Sequence, residues 1–94
     1  MQSIGTRAFN KKIEKLGKTI YVEVKGRREL GDIELTEKET QKALELKDDY
    51  WLIVIKDIPN NPRAILVKNP FSLLRGITIT INKKQLEERG EYLD

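Results

Sequence analysis

The stretch YWLIVIKDIPNNPRAILVKN, Tyr50 to Asn69, limits what this chain can fold into more than any other. YWLIVIKDI is an almost continuous apolar run bounded by turn residues, the pattern of a central strand covered on both faces. PNNP then breaks the run, because proline brings no N–H donor and asparagine favours turns. RAILVKN is therefore expected to return as the second strand of a hairpin.

The rest of the chain adds short elements to that hairpin. In TIYVEVK, Thr19–Lys25, the side chains alternate: Ile20, Val22 and Val24 point one way, and Tyr21, Glu23 and Lys25 the other. AFNKKIE, Ala8–Glu14, is expected as a first strand, joined through KLGK, where Gly17 tolerates positive φ. IEL, after the loop GRRELGD, is a short strand or an extended entry to a helix that begins at Thr36. TEKE fits a capping box, with Thr36 accepting from a free backbone N–H and Glu39 reaching back. Ala43, Leu44 and Leu46 can face the core, and the helix should stop near Asp48–Asp49. FSLLRG reads as one helical turn closed by Gly76, ITITI as a strand, and NKKQLEERGEYLD as a terminal helix from Asn82 that ends before Gly90. The expected order, β-β-(β)-α-β-β-β-α, is an α+β (mixed α/β) fold. It has a mixed sheet, one main helix and a short C-terminal helix in a single domain, residues 1–94.

Composition closes off several chemistries. With no cysteine and no histidine, the chain can build neither a Cys/His zinc site nor a thiol nucleophile nor a Ser-His-Asp triad. Catalysis would have to use carboxylates, lysine, hydroxyls or a hard cation held by oxygen ligands. No apolar run approaches a membrane span and the N-terminus lacks a secretory core, so no membrane partner and a cytoplasmic location are expected. Abundant Lys, Glu and Ile without Cys or His suits a thermophilic source. Residues 1–31 carry eight Lys/Arg against three Asp/Glu, whereas residues 32–50 carry three against seven. A basic first third suits an anionic partner such as DNA, though it equally suits a solvated surface.

Glu23 and Lys25, two apart on one strand, project side by side. That spacing occurs on the outer face of any half-exposed strand as a plain ion-pairing pattern. It is also the spacing with which a carboxylate can hold Mg²⁺ while an ammonium stabilises the charge developing on an attacked phosphate.

Four ordered segments add weight to the second reading: YVEVKG, IELTEKETQKALEL, DDYWLIVI and PRAILVKNPFSLL. Together, over about Phe9 to Leu74, they resemble the restriction-endonuclease-like, PD-(D/E)XK domain at the C-terminus of the NO VEIN protein, a domain also attached to superfamily 2 helicases and restriction-system proteins. The resemblance implies Glu23 as metal-binding and catalytic carboxylate, Lys25 as catalytic lysine, and the Val24 carbonyl as a further ligand. It leaves Thr36 and Glu39 as capping residues, and Tyr50 and Trp51 as core rather than base-stacking residues. Lys11, Lys12, Lys18, Arg27 and Arg28 would flank the site and track a DNA backbone.

Two departures shape the expectation. The family's first metal ligand is an Asp upstream of the glutamate, whereas here Asn10 follows Phe9 in that neighbourhood and no Asp precedes Asp32. An amide oxygen brings no charge, so Mg²⁺ should bind weakly. The family's N-terminal helix is also expected to be missing, which would leave an apolar sheet face for a homodimer to cover. The expected function is DNA binding by a degenerate or weakly active nuclease-like domain, accessory to a helicase partner or parent chain or to a defence or repair system. One alternative is an active Mg²⁺-dependent endonuclease with a ligand supplied by Glu14, Glu34 or a second subunit. The other is a non-enzymatic protein-interaction or assembly module.

Overall fold

A computed structural model describes residues 8–15, 18–29 and 31–93, with backbone alone for 8–15 and 18. The expectations for a Gly17 turn and for the N-terminal helix lie outside the described residues.

Strands β1 (Ala8–Lys15) and β2 (Lys18–Gly26) pair antiparallel. β2 then pairs parallel with β4 (Tyr50–Lys56). A parallel neighbour needs a crossover, and the segment between them supplies it. That segment holds β3 (Ile33–Glu34), helix α1 (Glu37–Leu46) and a 3₁₀ turn, Lys47–Asp49. β5 (Arg63–Lys68) returns antiparallel beside β4, and β8 (Glu91–Leu93) pairs with β5, giving the order β1-β2-β4-β5-β8. A smaller antiparallel sheet, β3-β7-β6, uses β6 (Leu74–Arg75) and β7 (Thr78–Ile81). Helix α2 (Lys83–Arg89) follows, closed at its start by a capping box between Asn82 and Gln85. The fold is α+β with mixed sheets, one main helix and a short C-terminal one.

The core lies on one side of the large sheet. Tyr50, Leu52, Val54, Ile65 and Val67 point into it, and Ile33, Leu35, Ala43, Ile79, Ile81 and Leu86 meet them from the small sheet and the helices. Thr40 joins these layers, its buried Oγ1 accepting from the Ile79 N–H at 3.2 Å. The other face carries Ile20, Val22, Val24, Trp51, Ile53, Ile55 and Leu66, with only Val22 and Leu66 buried.

This arrangement corrects several expectations. β4 is central, and among the described residues it is overlain on one face only, because every described layer packs on the same side. Leu44 is 39% exposed, since α1 turns Ala43 rather than Leu44 inward. Gly76 does not close a helical turn: Pro70–Leu73 form a 3₁₀ turn, and Gly76, at φ 76°, makes the bend between β6 and β7. The terminal helix starts after Asn82 and ends before Gly90 as expected, but Glu91–Leu93 then add a strand to the large sheet.

Candidate functional site

Strand alternation turns Tyr21, Glu23 and Lys25 towards the core side, beneath the N-terminal end of α1. Glu23 is fully buried, and neither carboxylate oxygen has a hydrogen-bond partner among the described residues. Lys25 Nζ donates to Glu39 Oε1 at 2.9 Å and to the Glu34 carbonyl at 3.1 Å. The same Glu39 oxygen accepts from the Thr36 backbone N–H at 2.8 Å, and Thr36 Oγ1 accepts from the Glu39 N–H at 3.1 Å. Glu39 therefore closes the capping box and also holds the lysine of the strand below, a second role that its sequence motif does not reveal.

The buried hydroxyl of Tyr50 has no hydrogen-bond partner among the described residues either, while its ring stacks on Tyr21 with centroids 5.0 Å apart. Tyr50 is thus a core residue whose polar end belongs to the site. Glu39 and Tyr21 act on Glu23 electrostatically without reaching hydrogen-bond geometry with it.

Burial pushes the Glu23 carboxyl up to about 8, the nearby Glu39 adds to the rise, and Lys25 opposes it. Burial resists ionisation of Glu39 as well, yet Lys25 and the Thr36 N–H hold that group below the usual carboxylate range. The two phenols are raised, first by burial and then by the carboxylates. At neutral pH the pair of acids shares one proton, and Glu23 carries it.

Asn10 stands at the register position directly across β1–β2 from Glu23. Val24 lies between Phe9 and Ile53 inside the sheet, so a cation would compete with the strand ladder for its carbonyl. Arg27 and Arg28 follow the end of β2 nearest Lys25, and the Arg27 guanidinium donates to the Asp32 carbonyl at 3.0 Å. Lys18 lies at the opposite end of β2, paired with Lys15. Lys11 and Lys12 pair with Val22 and Tyr21, so their backbone positions alternate between the faces. Their side chains, like those of Asn10, Glu14 and Lys18, lie outside the described residues.

Among the described residues no three carboxylate, His or Cys side chains gather into a cation cage. Glu23 and Glu39 provide two carboxylates, and one oxygen of Glu39 is already engaged by Lys25 and Thr36. Such a donor set fits Mg²⁺ as part of a ternary site, because Mg²⁺ is commonly held by one or two carboxylates together with waters and substrate phosphates. Were such a cation bound, Glu23, whose oxygens have no described protein partner, would be the residue to hold it.

The chain matches no curated protein and no solved structure. A family model does match, over residues 7–67, from the first strand of the hairpin through most of β5. By that match the chain belongs to the family described as protein NO VEIN, C-terminal.

Proposed function

We propose that this chain is a PD-(D/E)XK nuclease-like domain that binds DNA and cleaves it weakly or not at all, as an accessory to a helicase or a defence or repair system. The observation that carries the reading is Glu23, fully buried and without a described hydrogen-bond partner, next to a lysine held by a second carboxylate. A carboxyl in that position lowers stability, and a buried acid with a strongly raised proton affinity beside a specific charge partner is a mark of functional sites. Weak activity follows from the donor set. Glu23 carries a proton at neutral pH, Lys25 is tied to Glu39, and the upstream position that would supply a second charged ligand is Asn10.

If Mg²⁺ binds, Glu23 in its ionised form would be the carboxylate that holds it, phosphate oxygens of bound DNA would supply further donors, and the metal would contribute charge stabilisation at the attacked phosphate. The test combines binding and cleavage of single-stranded, duplex and branched DNA, with and without Mg²⁺, by the wild-type chain and by Glu23→Ala and Lys25→Ala. Binding with slow or absent cleavage is expected. Robust Mg²⁺-dependent cleavage lost in both variants would replace this reading with that of an active endonuclease. Absence of both DNA and metal binding would leave an assembly module.

A further inference from the structure

Lys25 is held by one short stretch of chain, the segment that leads out of β3 into α1. Its Nζ donates to the Glu34 carbonyl at 3.1 Å and to Glu39 Oε1 at 2.9 Å. That segment is pinned to β7 twice. The Leu35 N–H donates to the Ile79 carbonyl at 2.9 Å, and the Ile79 N–H donates to Thr40 Oγ1 at 3.2 Å. Leu35 is also fully buried. Two acceptors anchored to the same strand therefore set where the ammonium stands. A lysine ammonium has three N–H donors, so two are spent here and one is left. The Lys25 side chain keeps 13% exposure, so the group is not sealed from solvent.

Glu39 does more than a helix cap requires. Its Oε1 accepts from both the Thr36 N–H, at 2.8 Å, and Lys25. A glutamine at this position would close a capping box equally well, and its amide oxygen could accept from the same two donors. What the carboxylate adds is charge. With the proton on Glu23, the group of Glu23, Lys25 and Glu39 carries no net charge at neutral pH, and an ammonium balanced in this way attracts a polyanion less than a free one does.

We propose that Glu39 is a positioning residue that sets how strongly Lys25 binds a DNA phosphate: it fixes the ammonium with one donor left for the phosphate, and its carboxylate holds the affinity down. The proposal rests on the DNA-binding reading above and assigns the phosphate affinity of that site to a residue of α1. Glu39 itself does not meet the phosphate.

The test is binding of a fluorescent DNA duplex over a range of salt, without divalent metal. Wild type is measured first. Comparisons are then made in a Glu23→Gln background, so that no change in the Glu23 proton on loss of Glu39 enters. To that background are added Glu39→Gln, Lys25→Ala, the two together, and Glu39→Ala, each checked for folding by circular dichroism. Glu39→Gln should restore one full phosphate contact and steepen the slope of log affinity against log salt by about 0.9. For lines that converge at about 1 M, that is about fivefold tighter binding at about 0.15 M salt. With Lys25→Ala present, Glu39→Gln should give no gain. Glu39→Ala relieves the same charge but removes the hold, so it should bind less tightly than Glu39→Gln. A purely structural cap would change stability and leave the slope alone. Should Glu39→Ala unfold, Glu39→Gln still decides, because glutamine keeps the cap. Wild-type binding with a slope unmoved by Glu39→Gln, weaker binding by Glu39→Gln, or a gain that persists without Lys25 would each overturn the proposal and leave the DNA reading intact. Equal binding by Glu39→Ala and Glu39→Gln would overturn the positioning role. No binding by wild type would overturn the DNA reading and the proposal with it.

Discussion

Glu23 puts a proton where an ordinary surface glutamate would have none, and the consequence for stability has a definite sign. The unfolded chain titrates Glu23 near its ordinary value of 4.5, whereas in the fold burial and Glu39 raise it to about 8. Between those values the folded state keeps a proton that the unfolded state has released, so this contribution is greatest at the acid end and is lost as pH rises. Glu39 works the other way, stabilising above its ordinary value and failing on acidification, so the window from pH 5 to 8 reports Glu23. Wild type should lose about 1 kcal/mol of stability per pH unit there, and Glu23→Gln, which keeps the shape and cannot ionise, should not. Parallel pH profiles from chemical denaturation of the two proteins would reject the buried proton. At this scale the sequence showed Glu23 and Lys25 as neighbours and Thr36 and Glu39 as a cap. It could not show that the two motifs meet, because that depends on the crossover setting the start of α1 above β2.

Elements were readable where they were long. The ten residues of α1 carry a capping box, and the β2 alternation places Glu23 and Lys25 on one face. Two- and three-residue strands such as β3, β6 and β8 have no period to read, so Glu91–Leu93, beyond the expected end of the terminal helix, gave no strand signal. Their positions come from tertiary contacts. Gly90 shows how tightly α2 and β8 are joined: its φ of −86° suits any residue, but a Cβ there would collide with Ile65 Cγ2 and the Leu86 carbonyl. One of these obstacles is backbone and cannot yield by rotating a side chain. Gly90→Ala should therefore destabilise by roughly 2 kcal/mol, in the range of overpacked core sites, and displace β8 along with it. An unchanged denaturation midpoint would mean that the helix–strand junction shifts freely.

For the whole molecule, the apolar run of β4 was the strongest signal, and the described elements overlie one of the two faces that it implied. In the fold Tyr50, Leu52 and Val54 enter the core, while Trp51, Ile53 and Ile55 remain half-buried on a face that no described element overlies. Self-association through this face was the expectation, and its size bounds the strength. Five strands at ~4.8 Å and about six residues at ~3.3 Å give a patch near 480 Å². A symmetric pair of such patches, each covering the other, would bury roughly 1,000 Å² in total, below the 1,200 Å² at which specific, stable interfaces begin. We propose a weak, reversible dimer through this face, with a Kd in the micromolar range or higher. Sedimentation velocity should show the average mass rising with concentration over that range. Ile53→Lys should hold the chain monomeric without unfolding it, because a charge at a half-buried position can reach water in the monomer and not in the dimer. A dimer that persists at nanomolar concentration would require an interface larger than this face, and a monomer throughout would leave the face to another occupant.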